Sequence, residues 1–186
     1  MHPVLHALRD PEEFALQAAQ TAPPTVHAAL ALTASAGVGL YGVAMHLPQG
    51  LVPAGEGGLA AVLAAGVAWT AALPSLYVIG SLNGSTLPLR AVALATLQAV
   101  SFGGFAMLAS VPVLWFFELC LPYPAVRLFI NLLIFGGVGL SMVEVFLRVM
   151  RALEGRRFFH LLWMGLLALV GAEMFTLFGL FSLGEV

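Results

Sequence analysis

Residues 88–117 read PLRAVALATLQAVSFGGFAMLASVPVLWFF, an apolar run whose single charge, Arg90, lies near its start. An α-helix needs about 20 apolar residues to cross ~30 Å of hydrocarbon. This stretch is longer than one upright span and too short for two spans with a turn between them. It reads as one long helix kinked near Pro112. That choice fixes which ends of the remaining segments share a face.

Working outward, apolar runs at about 26–47 and 59–80 precede this stretch, and runs at about 126–147 and 159–181 follow it. Pro48-Gln49-Gly50 closes the first run, a loop with Pro53, Gly55 and Glu56 leads into the second, and Pro122 and Pro124 mark the turn before the fourth. With 61% hydrophobic residues, 9% charged and a mean hydropathy of +1.01, the chain is expected to be all-α, a polytopic transmembrane bundle of about five spans. Three parts follow: a cytoplasmic segment 1–25, the bundle 26–182 and a short external tail 183–186.

Arginines set the orientation, because short cytoplasmic loops are enriched in basic residues. With five spans and a cytoplasmic N-terminus, Arg9, Arg90, Arg148, Arg151, Arg156 and Arg157 fall inside, and the loop with Glu56 falls outside. Arg127 is the exception. A six-span reading would separate the N-terminus from the four-arginine loop and leave Arg9 outside. The expected setting is a cell membrane, the bacterial inner membrane, with the lipid bilayer as the first partner.

Segment 1–25 is not read as a signal peptide, since prolines at 3, 11, 23 and 24 interrupt any apolar core. Asp10-Pro11-Glu12-Glu13 is a helix start: Asp10 can cap, Pro11 suits the first turn and Glu13 completes a capping box. A short helix over about 11–20, partly apolar through Leu8, Phe14, Ala15 and Ala18, is predicted to lie on the membrane surface or against the bundle.

Lipid gives apolar helices little reason to prefer each other, so small residues that let backbones approach mark the contact faces. Ala60, Ala64, Ala68 and Ala72 form such a stripe on the second span. Ala31, Ser35 and Gly39 do so on the first, and Gly137 and Ser141 on the fourth. The spacing fits packing within the bundle, and it also fits a homo-oligomer.

Polar groups at membrane depth are the functional candidates. Glu173 lies about 20 Å into the last run at 1.5 Å per residue, with no basic residue within a turn of its own helix. It is either a proton- or ion-binding carboxylate or a hydrogen-bonded joint between helices. Gln98 and Asn131 can line the same pathway or join helices. Glu144 and Arg148, spaced i, i+4 with the acid first, form a structural ion pair at the end of the fourth span or a gate there. Glu118, Tyr123 and Trp115 belong to the interfacial belt at the end of the third.

No catalytic pattern such as H-E-x-x-H or G-x-S-x-G occurs. Cys120 is the only cysteine, so neither an intrachain disulfide nor a thiolate metal centre is available. The His2/His6 pair sits at a terminus expected to fray, which argues against a metal site, and no cofactor is indicated. A net charge of −2 argues against nucleic acid as a partner.

Leu8-Arg9-Asp10-Pro11-Glu12-Glu13-Phe14 ahead of five spans resembles the cytoplasmic entry of bacterial relatives of the Yip family, small five-span proteins whose last span ends outside. Leu73-Pro74-Ser75-Leu76-Tyr77-Val78 followed by Leu82-Asn83-Gly84 also resembles a group of small bacterial polytopic proteins. The resemblance implies a non-enzymatic protein of membrane organisation and supplies no catalytic residues. The sequence therefore favours a helix-packed subunit of a self- or hetero-assembly. The alternative is a homo-oligomeric ion or proton channel or transporter component built on Glu173.

Overall fold

A computed structural model describes residues 3–18, 21–82, 84–121 and 123–154, together with Gly165, Leu169, Glu173 and Leu177. Every regular element among them is helical. Two short helices, α1 (Pro3–Arg9) and α2 (Pro11–Ala18), precede α3 (Pro24–His46), α4 (Leu51–Leu82), α5 (Leu89–Cys120) and α6 (Pro124–Glu154). The last four are long and apolar enough to cross a membrane. The predicted fifth span lies outside the described residues apart from the four isolated positions, which are helical.

Residues 89–117 lie within one unbroken helix, α5, of 32 residues, about 48 Å at 1.5 Å per residue, with Pro112 inside it. α4 corrects the sequence reading at its start. Residues 51–58, read as a loop from Pro53 and Gly55, are helical, and α4 begins at Leu51. Pro53 is tolerated because a first-turn residue has no intrahelical acceptor to lose. Gly57 and Gly58 are poor helix formers, yet both are buried against α3, so tertiary packing overrides propensity. Between α3 and α4 the chain turns through the 3₁₀ segment Leu47–Gln49 and Gly50, whose φ of 122° no other residue adopts easily.

Consecutive long helices run antiparallel through short connections. α3 packs against both α4 and α5, and α5 carries α6 on its other flank. Two glycine seams set these approaches. On one, Gly37 of α3 faces the Gly104 carbonyl of α5, and a methyl group added to Gly104 would lie 2.7 Å from the Ala34 carbonyl oxygen. On the other, a methyl group at Gly42 would lie 2.6 Å from the Gly57 carbonyl oxygen and 2.8 Å from the Ala61 side chain. Neither seam has room for a Cβ, which is how apolar helices gain contact where lipid supplies no hydrophobic drive.

The N-terminal helices close one end of the bundle, where α3 and α5 begin and α4 and α6 end. Val4, Ala7 and Phe14 pack with Leu30 of α3 and Leu94 of α5, while Ala15 joins a core with Ala72, Ala95, Ala99 and Phe146. α1 forms where fraying was expected, because His6 stacks edge-on against Phe14 at 5.7 Å and Val4 and Ala7 are buried. The capping box does not form. Asp10 accepts the Phe14 amide through its backbone carbonyl and its side chain faces Arg9, whereas Glu13 takes a hydrogen bond from Gln17 one turn on.

Candidate functional site

Three polar constellations sit within or beside the apolar bundle. The first joins the N-terminal cap to the long helices. Gln98, 1% exposed, donates from Nε2 to the Pro11 carbonyl at 3.1 Å. Arg148 donates from Nε to Glu12 at 2.7 Å. These bonds clamp the start of α2 between α5 and α6. The i, i+4 pairing of Glu144 with Arg148 is therefore corrected: the guanidinium reaches Glu12, and exposed Glu144 contributes only longer-range attraction. The physical reason is that α2 lies directly on α6 and offers a carboxylate with better geometry than the same-helix neighbour. The Gln98 Oε1, Thr96 Oγ1 and Ser101 Oγ atoms are buried without a hydrogen-bond partner.

The second constellation lies toward the opposite half. Tyr41 of α3, 1% exposed, donates its hydroxyl to Asn131 Oδ1 of α6 at 2.7 Å, and its ring packs edge-on against Phe135 at 5.5 Å. Tyr41 carried no marker in the sequence beyond being a phenol deep in an apolar run. Only the pairing with Asn131, 90 positions away, gives it a role. Replacing Tyr41 by Phe leaves the Asn131 amide short of a partner, and a double-mutant cycle with Asn131→Leu should give a coupling of ~0.6–2 kcal/mol, the range for interhelical hydrogen bonds in membranes. Additive effects on thermal unfolding in detergent would show that the bond contributes nothing.

The third constellation resolves the exceptional arginine. Arg127, at the start of α6, pairs with Glu118, at the end of α5, at 2.7 Å. The two charges cancel at the end of the bundle opposite the cap, while Arg9, Arg90, Arg148 and Arg151 all lie at the capped end. A basic residue matched locally by an acid adds little to the charge asymmetry that orients the chain.

Gln98 and Asn131 are thus held by separate partners, about 14 Å and 10 Å in from opposite ends at 1.5 Å per residue. Glu173 is helical and exposed, on one face with Gly165, Leu169 and Leu177. Of the small-residue positions, Ala64, Ala68 and Ala72 are buried and Ala60 half-buried, facing inward. Gly39 meets Val62 of α4 at 3.0 Å if given a Cβ. Ser35 and Gly137 are exposed, and half-buried Ser141 bonds back to the Gly137 carbonyl of its own helix at 2.9 Å. Gly104 was legible, since the Gly103-Gly104 pair reads as a packing or flexing point, but Gly37, Gly42 and Gly57, which also sit in tight helix contacts, were missed, because a glycine in an apolar run looks the same at a seam as on a lipid face.

A notch of about 40 Å³ opens at the capped end between the ends of α4 and α6, lined in part by Tyr77, Ser81, Ser85 and Glu154. That volume is room for about three waters. Among the described residues no three His, Cys, Asp or Glu side chains converge as a metal site. The four long apolar helices define the class, an all-helical integral membrane protein that crosses the bilayer several times. No protein-family model, curated protein or solved structure matches the chain.

Proposed function

We propose that this chain is a non-enzymatic membrane subunit that assembles with copies of itself or with other membrane proteins, in the bacterial inner membrane and with its capped end in the cytoplasm. The observation that carries the reading is the bare outer face of α6. Among the described residues, Gly136 and Gly137 are exposed and a Cβ at either meets nothing within 4 Å. Glycines against lipid give up side-chain contact, whereas glycines against another helix let it approach closely. Replacing Gly137 by Leu should reduce the mass of the particle measured by light scattering in lipid nanodiscs. A wild-type particle that is already monomeric removes self-assembly and leaves only assembly with other membrane proteins.

A conduction role rests on Glu173 alone, since Gln98 and Asn131 have their own partners within the chain. The resemblance to the Yip family in layout supports an assembly role, as do the short connections, which leave no room for a separate folded domain between spans. The orientation is tested by impermeant thiol labelling of intact cells. Native Cys120, exposed at the end of α5, should react from outside, and a cysteine at Gly155 in a Cys120→Ser background should not. The reverse pattern inverts the topology.

A further inference from the structure

The notch at the capped end carries a chemistry of one sign. α4 and α6 both lie along α5, but their backbones do not meet anywhere among the described residues. Buried Leu76, Val92 and Met150 occupy the gap between them and form the apolar wall of the notch. α4 ends here because Gly84, at φ 81°, turns the chain, with the Gly84 and Ser85 amides bonded back to the Ser81 and Gly80 carbonyls at 3.0 Å. The negative end of the α4 dipole therefore lies beside the notch. Glu154 adds a half-buried carboxylate that has no ion-pair partner among the described residues. The hydroxyl groups of Tyr77, Ser81 and Ser85 complete the lip, and no basic residue lines it.

Such a lining takes a cation that can donate hydrogen bonds. The volume of about 40 Å³ has room for about three water-sized groups, which matches a primary ammonium and the two methylenes behind it. A trimethylammonium group brings three more carbons and no donor, and an amine that carries its own carboxylate is repelled by Glu154. The notch sits where two membrane-crossing helices reach the capped end, at the depth of lipid headgroups. Arg151, one turn before Glu154 on α6, is exposed and pairs with no acid among the described residues, so a phosphate behind the amine has a guanidinium at hand.

We propose that the notch binds the headgroup of phosphatidylethanolamine, its ammonium donating to the Glu154 carboxylate and to the hydroxyl oxygens of Ser81 and Tyr77. This site is independent of the assembly reading above, since a monomer can hold the lipid as well as an oligomer can.

The experiment is native mass spectrometry of the full chain in detergent, equilibrated with an equimolar mixture of phosphatidylethanolamine, phosphatidylcholine, phosphatidylserine and phosphatidylglycerol. A charge-assisted hydrogen bond is worth about ten-fold in affinity or more, so the ethanolamine lipid should be retained about ten-fold over each of the others. Glu154→Gln should abolish that preference, and Glu144→Gln, which removes an exposed acid ten residues earlier on the same helix, should keep it. Gly80→Leu tests the space without touching a charge: its Cβ stands in ordinary contact with Ser85 at 3.7 Å, and the rest of the side chain fills the notch, so the preference should again be lost. Free ethanolamine, the same ammonium without acyl chains, should not displace the lipid at equal concentration. Equal retention of the four lipids by the wild type, or a preference that survives both Glu154→Gln and Gly80→Leu, overturns the site. Displacement by free ethanolamine at equal concentration overturns the lipid as its ligand.

Discussion

Gly37→Ala should cost this protein more stability than any other single methyl group added to it. The new Cβ would press into the Gly104 carbonyl of α5, and backbone cannot rotate aside as the end of a flexible side chain can. α3 and α5 must then separate along the seam that also carries Ala34, Leu30 and Leu94. Overpacking a tight core costs typically ~1–3 kcal/mol, and this contact belongs at the upper end of that range. Gly104→Ala, which meets the Ala34 backbone at 2.7–2.8 Å, should follow closely. Gly66 on the outer face of α4 is the control. It is exposed with nothing within 4 Å of an added Cβ, so Gly66→Ala should be neutral or mildly stabilising. Thermal unfolding in detergent ranks the three. A Gly37→Ala melting curve superimposed on that of Gly66→Ala would mean that α3 and α5 do not meet as described.

The comparison between these glycines shows how much of the fold can be read from the chain alone. Hydropathy and length locate α3, α5 and α6 well because a membrane-crossing helix must satisfy all its backbone groups internally and present apolar side chains for about 20 residues. The same rule cannot place glycines. In water, an amphipathic stripe reveals which face is buried, but in lipid both faces are apolar and the period of 3.6 fades. The alanine stripe of α4 was legible because three of its four members coincide with buried positions. Ser35 and Gly137, with the same spacing logic, face outward. The start of α4 was misread for a related reason: Pro53, Gly55, Gly57 and Gly58 resemble a loop by propensity, and only the presence of α3 opposite them makes a helix the better packed state.

The candidate site was legible residue by residue and not as partnerships. Gln98, Asn131, Arg148 and Glu118 were each visible as polar groups in or near apolar runs, since such groups need a reason to be there. Their partners are a backbone carbonyl in α2, a phenol in α3, a carboxylate in α2 and an arginine in α6. All but the last lie 87 or more positions away. An i, i+4 pairing is the nearest available guess for Arg148, and it fails because the fold brings a remote acid closer.

The pair at the far end of the bundle supports the second large prediction. Glu118→Leu removes the acid and leaves Arg127 with its charge and no compensating carboxylate, while Arg127→Leu leaves the acid unpaired. Breaking one side of a fully buried pair costs ~3–5 kcal/mol because the surviving charge is stranded. Arg127 retains 33% of its side-chain exposure against 16% for Glu118. Water at the interface therefore screens the arginine left by Glu118→Leu, and the expected loss is about 2 kcal/mol. Glu118 is the less exposed partner, so Arg127→Leu should be at least as damaging. The double variant Glu118→Leu/Arg127→Leu should recover most of the loss, since two apolar side chains at this depth cost far less than one stranded charge. Orientation offers an independent readout. An unmatched arginine on the face opposite the cap weakens the charge asymmetry that orients the chain, so Glu118→Leu should yield a fraction of molecules in which a cysteine at Gly155 becomes labelled from outside, and Arg127→Leu should yield none. Equal stability of both single variants with the wild type, together with unchanged labelling, would reduce the contact to a surface ion pair of no consequence.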